Sequence, residues 1–89
     1  MKKSTITLSN DEAIILQQIS ENGEDDVMGL AQSLRMSRQR VALLLSHLKR
    51  KGLITIQNSY GSWWVKTSVR GTRLVHYLWP EMQSMVRAV

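Results

Sequence analysis

Residues 26–54 carry the strongest structural signal in the chain and read DVMGLAQSLRMSRQRVALLLSHLKRKGLI. Apolar residues recur here at three- and four-residue spacing, which predicts two short amphipathic helices joined by a tight turn. Asp25 or Asp26 can cap the first of these helices, and Ser37 can cap the second. Ala31 is small where the two helices should approach most closely. The apolar residues that support the pair are Leu30, Ala31, Leu34, Met36, Val41, Leu44, Leu45 and Leu48.

Another helix is predicted ahead of this pair, over residues 10–21. Ser9 and Glu12 have the spacing of a capping box, and Leu8 is placed to pack against the first turn. Gly23 follows the helix and is suited to end it. The inward-facing residues of this helix are Ile15, Leu16 and Ile19.

After Gly52 the apolar period changes from that of a helix to that of a strand. Ile54 and Ile56 alternate with polar residues, a second alternating run follows, and residues 58–62 between them predict a β-hairpin turn. Gly61 can supply the positive φ that this turn needs. A last helix is predicted over residues 68–78, capped at its first residue, and Pro80 either stops it or starts a new helix. The residues of the last helix that should face inward are Leu74, Val75 and Leu78.

The net charge of +5 is divided unevenly along the 89 residues. Residues 1–34 carry two Lys and six Asp or Glu, whereas residues 35–89 carry ten Lys or Arg and a single Glu. The second segment therefore has a net charge of +9, and it begins at the turn between the paired helices. A basic segment that coincides with such a helix pair favours binding to the phosphate backbone of a nucleic acid.

In its order of helices and hairpin, the chain resembles winged helix-turn-helix transcription regulators of the MarR type, with ArsR-like relatives as the alternative. The resemblance covers about residues 8–78 and rests on layout and spacing. It implies one mainly α domain with a small β-hairpin: an extended arm over residues 1–8, a winged-helix core over 9–78, and a C-terminal segment over 79–89. It also implies sequence-specific binding of double-stranded DNA by a small cytoplasmic regulator, a repressor, with the third helix in the major groove and the hairpin wing against the backbone.

The phase of the third helix indicates which residues would face DNA. At about 100° per residue, Gln39, Leu43 and Arg50 lie opposite the core residues. Gln39 suits adenine, and Arg40 suits guanine. Leu43 is large and apolar, so it either contacts thymine methyl groups or is partly buried by a rotation of the helix. The DNA-binding candidates are Ser37, Arg38, Gln39, Arg40, Ala42, Leu43, Ser46, His47, Arg50, Tyr60 and Lys66.

The wing has two unusual features. Wings of related proteins often carry an arginine at the tip, but residues 58–62 carry no positive charge. Tyr60 and Lys66 are the residues of the wing that could contact sugar or phosphate. Trp63 and Trp64 must point to opposite faces of the hairpin, so one of them is predicted to lie in the core.

A final apolar stripe follows Pro80 and has two candidate partners. It either folds back onto the first helix or packs against a second copy of the chain, and MarR-like proteins commonly dimerise through terminal helices. The predicted homodimer interface consists of Ile15, Ile19, Met82, Met85, Val86 and Val89.

Several classes of function are not indicated. The chain has no cysteine, and His47 and His76 lie on different predicted helices, so we expect no metal site, no cofactor and no catalytic residues. Residues 4–9 are too short and polar for the hydrophobic region of a secretion signal, and no apolar run would span a membrane. No effector ligand can be assigned from one chain. The alternative to DNA binding is a winged helix that binds protein in a transcription or replication assembly.

Overall fold

Four helices and three short strands make up residues 7–81, the part of the chain that the computed structural model describes. The three strands form one antiparallel sheet in the order β1-β3-β2. The elements are α1 (Asn10–Asn22), β1 (Asp25–Asp26), α2 (Val27–Leu34), α3 (Arg38–Arg50), β2 (Ile54–Ser59), β3 (Ser62–Thr67) and α4 (Val69–Leu78).

Each helix begins at a side chain that accepts a hydrogen bond from a backbone N–H of its first turn. The predicted capping box is confirmed: the Glu12 N–H donates to Ser9 Oγ at 3.1 Å, and the Ser9 N–H donates to Glu12 Oε1 at 2.9 Å. Asp26, Ser37 and Ser68 cap α2, α3 and α4 in the same manner, as their sequence positions predict. Local sequence thus fixes where the helices start.

The turn between α2 and α3 is tight because Arg35 adopts the left-handed conformation, with φ 57° and ψ 44°. Its N–H and that of Met36 both donate to the carbonyl oxygen of Ala31. Glycine is the usual residue at such a helix end, since a side chain there adds steric cost. The turn leaves the start of α3 next to the end of α2, as the helix pair requires.

The core lies between the helices and the inner face of the sheet. The apolar stripe predicted for α1 is buried, and so is that of the helix pair except for Leu34 and Met36, which are partly buried against the core. The sheet and α4 close the core from the other side. The buried apolar residues are Ile15, Leu16, Ile19, Leu30, Ala31, Val41, Leu44, Leu45, Leu48, Leu53, Ile54, Val65 and Val75.

The hairpin is longer and its turn tighter than the sequence predicts. Pairing continues to Ser59 opposite Ser62, which leaves Tyr60 and Gly61 as a two-residue turn. Their φ angles are 54° and 77°, the pattern of a type I′ turn. The positive φ predicted for Gly61 is therefore confirmed, and Tyr60 shares it.

A third strand, β1, was not expected from the sequence. Asp25 pairs with Val65 and Asp26 with Trp64, so β3 becomes the central strand. Two aspartates have low strand propensity and no alternating pattern, which explains why the sequence does not reveal this strand. The pairing ties the start of α2 to the wing.

The expectation that one of the two adjacent tryptophans lies in the core is wrong. Trp63 is 53% exposed and Trp64 is 36% exposed. Val65 occupies the core position of β3 instead, and Trp63 projects from the same face of the strand beyond the edge of the core. Leu78 also departs from the expectation that it faces inward: it is 41% exposed, while Trp79 packs partly against the core.

The start of α4 is held against the loop between α3 and β2. Ser68 Oγ donates to the carbonyl oxygen of Gly52 at 2.7 Å, and the Ser68 N–H donates to that of Leu53 at 3.0 Å. Gly71, in the first turn of α4, is buried against the same loop. A Cβ atom at this position would overlap the Leu53 carbonyl oxygen.

Replacing Gly71 by alanine is expected to lower the free energy of unfolding by about 1–3 kcal/mol, because overpacking forces the backbone apart. A decrease is informative because alanine normally stabilises a helix relative to glycine, so an open position would show an increase instead. Denaturant unfolding monitored by circular dichroism measures the change. Arg73→Ala, at an exposed position of the same helix, is the control. An unchanged unfolding midpoint for Gly71→Ala would contradict this packing.

Candidate nucleic-acid interface

The two faces of α3 have different roles. One face carries Val41, Leu44, Leu45 and Leu48 into the core. The opposite face is exposed and is not needed for folding, and it carries most of the residues that the sequence places toward DNA. Its exposed residues are Gln39, Ala42, Leu43, Ser46 and Arg50.

An open cleft of about 530 Å³ lies between the start of α2, the start of α3 and the tip of the wing. In this cleft Arg38, Gln39 and Ala42 of α3 lie next to the tip of the hairpin, although the two segments are far apart in sequence. Trp63 and Met28, both exposed, give the cleft an apolar side that the sequence does not indicate. The cleft is lined by Asp26, Val27, Met28, Arg38, Gln39, Ala42, Gly61, Ser62 and Trp63.

Arg40, predicted to contact guanine, is directed toward α1 rather than into the outward face. Its Nη2 atom lies 2.8 Å from Asp11 Oδ2, and both side chains are partly exposed. Exposed pairs of this kind contribute roughly 0–1 kcal/mol. A nucleic acid that approaches Arg40 would therefore compete with Asp11 for a guanidinium group that is still half exposed.

His47 is also on the flank of α3 that faces α1. Its Nδ1 atom lies 3.3 Å from Glu12 Oε2, and Lys51 Nζ lies 2.8 Å from Glu12 Oε1. Lys51 also donates to the carbonyl oxygen of Thr7 at 2.6 Å. His47 thus has an acidic neighbour within its own chain, while its side chain remains partly exposed.

Glu12 is the buried charge that joins α1 to the end of α3. Burial alone raises its pKa, but the hydrogen bonds from Lys51 and from the Ser9 N–H, with the charges of Lys51 and His47, outweigh this effect. The pKa of Glu12 therefore lies below its ordinary value. The carboxylate is an ionised structural group rather than a proton donor at neutral pH.

The remaining cations near α3 have no acidic partner among residues 7–81. Ion pairs in this part of the chain involve Arg40, His47 and Lys51. Arg38 and Arg50 are exposed candidates, and Arg35 in the interhelical turn and Lys49 on α3 are exposed cations that the sequence analysis did not select. Both belong to the dense basic run of residues 35–51, which is the signal in the sequence that marks them as candidates.

The wing residues divide between the tip and the outer face. Tyr60 is fully exposed at the turn. Lys66 pairs across the hairpin with Thr55, and both are exposed on the face that points away from the core. Trp64 lies on that outer face as well, beside Gln57. Lys66 therefore does not line the cleft that contains Arg38.

Ile15 and Ile19, which the sequence places in a dimer interface, are not on the surface of this chain. Both are fully buried, because the core of their own chain already covers them. The exposed apolar residue of that helix is Ile14, which lines a smaller cleft with Trp79 and Glu81. The other predicted interface residues, Met82, Met85, Val86 and Val89, lie outside the described residues.

Two classes of site receive no support within residues 7–81. This part of the chain has no group of three or more histidine or acidic side chains placed to hold a metal ion. It also has no helix long and apolar enough to cross a membrane.

Neither a protein-family model nor a curated protein matches the sequence. Solved structures do match the fold. A MarR family protein from Bacillus stearothermophilus superposes with a TM-score of 0.77 at 16% identity, over 91% of this chain and 58% of that one. The fold is that of a MarR-like winged helix.

Two further winged-helix structures give the same result. FabT of Streptococcus pneumoniae, solved in complex with DNA, has a TM-score of 0.74 at 22% identity, over 91% of this chain and 59% of FabT. BpsR of Bordetella bronchiseptica, whose DNA binding is regulated by 6-hydroxynicotinic acid, has a TM-score of 0.75 at 15% identity, over 91% of this chain and 60% of BpsR. The chain thus spans about 60% of the length of these proteins.

Glu12→Gln is expected to lower the free energy of unfolding by about 1–3 kcal/mol near pH 7, because it removes a buried carboxylate that accepts charge-assisted hydrogen bonds. A lowered pKa adds stability above the ordinary glutamate pKa, about 4.3, and this stability is lost as the pH falls through the folded-state value. The difference from the natural chain should therefore shrink as the pH falls below the ordinary glutamate pKa. Urea unfolding at several pH values measures it, with Glu21→Gln on the exposed side of α1 as the control. A difference that does not vary with pH would contradict the assignment.

Proposed function

We propose that this chain binds double-stranded DNA as a small transcription regulator, with α3 in the major groove and the wing against the backbone. The exposed face of α3 carries the proposal. It lies opposite the core stripe, it contains no acidic residue, and Arg38 and Arg50 stand near its two ends. In helix-turn-helix proteins, an exposed helix that is held by the core in this way is the recognition helix.

The roles within α3 follow from side-chain chemistry. Gln39 can form two hydrogen bonds with adenine, and Ser46 can donate or accept at a base edge. Arg38 and Arg50 contact phosphates, which position the helix without reading sequence. Arg40 and His47 are secondary candidates because α1 already supplies their acidic partners.

The wing contributes to the same surface through the cleft beside α3. A DNA strand that leaves the groove next to Arg38 would meet Gly61, Ser62 and Trp63 of the wing. Tyr60, fully exposed at the turn, lines a separate cleft with Gln57 and Trp64, and its hydroxyl group would reach the DNA only from that side. Trp63 offers an apolar surface to a sugar. Lys66, on the outer face, reaches only a backbone that wraps around the wing.

The solved winged-helix structures support this proposal at the level of the fold, since FabT with that fold is in complex with DNA. Repression is the proposed mode of regulation, because blocking a promoter needs only a bound protein. The proposed place of action is the cytoplasm, where a bacterial regulator meets DNA. A small-molecule effector, as BpsR has, is not part of this proposal.

The proposed regulator is a twofold homodimer. A symmetric pair would place two α3 helices about 34 Å apart and would bind an inverted repeat. The exposed Ile14 and the partly buried Trp79 lie together in a cleft near the last described residue, and the cleft is completed by the polar residues Gln17, Gln18, Glu21 and Glu81. We place the contact between the two copies here, in place of Ile15 and Ile19.

A protein-binding role is the second candidate. The exposed Leu43 and Trp63 and the uncharged wing tip favour it, because exposed apolar residues are common in protein interfaces. The cations around α3 favour DNA. The salt dependence of binding separates the two proposals, because only DNA binding releases many condensed counterions.

Arg38→Ala and Arg50→Ala are each expected to weaken binding to duplex DNA and to make log affinity less dependent on log salt, by about 0.9 in slope for each lost phosphate contact. The control is Arg73→Ala, which removes the same charge from an exposed position of α4. Fluorescence anisotropy over a salt series measures both quantities. Unchanged affinity and slope for both α3 variants, with unchanged circular dichroism, would exclude this surface as the DNA contact.

A chain ending at Glu81 is expected to be monomeric and to bind an inverted-repeat site much more weakly than the full chain, because a single winged helix buries little DNA surface. Sedimentation equilibrium and anisotropy measure the two effects. Ile14→Glu in the full chain tests the same interface without a truncation. A full-length protein that is already monomeric at micromolar concentration would contradict the dimer.

A further inference from the structure

Leu43 is an exposed apolar residue in the middle of the outward face of α3. It is 49% exposed, although the core stripe of the same helix is complete without it. Gln39 lies one turn before it and Ser46 about one turn after it, so the residues above and below it along the helix are polar, and the small Ala42 lies beside it. Folding therefore does not explain a leucine at this position.

The charge around Leu43 indicates which kind of partner would contact it. From Arg38 to Arg50, α3 carries basic residues and no acidic one, and Arg38 and Arg50 flank the outward face. A polyanion fits this surface better than an ordinary protein surface does. Within the major groove, base edges present donors and acceptors, and the C5 methyl group of thymine is the apolar group among them.

We propose that Leu43 is a specificity-determining residue that reads thymine through its C5 methyl group, with Ala42 beside it as a second apolar contact. This inference rests on the proposed DNA binding of α3. Gln39 lies four residues before Leu43, which is about 6 Å along the helix, or roughly two base-pair steps. The preferred site therefore contains adenine opposite Gln39 and thymine one or two base pairs away.

The chemistry gives a measurable size for the effect. Burying one methyl group against an aliphatic side chain changes affinity roughly fourfold. Deoxyuridine pairs with adenine as thymine does but lacks the methyl group. Replacing thymine by uracil therefore removes the proposed contact and leaves the hydrogen-bonding pattern of the groove intact.

The test begins with a duplex selected by the full-length protein from random DNA. We expect uracil at the critical thymine to weaken binding roughly fourfold, and Leu43→Ala to weaken binding to the thymine duplex to a similar degree. Leu43→Ala should then be much less sensitive to uracil than the natural chain, with any remaining sensitivity due to Ala42, whereas Leu43→Met should retain the sensitivity. Val69→Ala, which truncates an exposed apolar residue on α4, should respond to uracil as the natural chain does.

The outcomes separate this inference from the proposed function. If no duplex is bound at low salt, the proposed DNA binding itself fails. If duplex DNA is bound but uracil has no effect at any position, or if Leu43→Ala remains as sensitive to uracil as the natural chain, DNA binding stands and the thymine contact is overturned. Circular dichroism of each variant confirms that the comparison is made between folded proteins.

Discussion

The rotation of α3 about its own axis is the constraint on which the rest of the molecule depends. Val41, Leu44, Leu45 and Leu48 fill the core from this helix, and each is at most 3% exposed. A turn by one residue, about 100°, would expose part of this stripe and push polar side chains into the core. Packing therefore decides which residues face outward, and the proposed reading surface follows from the hydrophobic core.

The same rotation divides the cations of the basic segment into two groups. On the flank that faces α1, Arg40, His47 and Lys51 meet Asp11 and Glu12. These contacts join α1 to α3 and leave the cations of the outward side without acidic partners in residues 7–81. Asp11 and Glu12 of the acidic first part of the sequence thus have a structural role.

Local signals in the sequence were sufficient to predict the helices and most of the residues on the candidate surface of α3. Caps such as Ser9 and Ser37 act within three residues of themselves, and the apolar stripes of α1 and α3 repeat at helical spacing. Because burial of a stripe fixes the opposite face, helical phase alone placed Gln39, Leu43 and Arg50 outward. The sequence therefore determined the fold class and the side of α3 that can meet a partner.

Tertiary structure decided what depends on contacts between distant segments. Both tryptophans of β3 are exposed because Val65 fills the core, and Arg40 turns to Asp11, 29 residues away. The strand β1 exists only because Asp25 and Asp26 find β3 as a partner. Alternation along a strand shows that two residues face opposite ways, but the position of the core relative to them is set by the packing of other elements. The position of the core relative to a strand therefore depends on the folded chain and cannot be predicted from the spacing of residues within that strand.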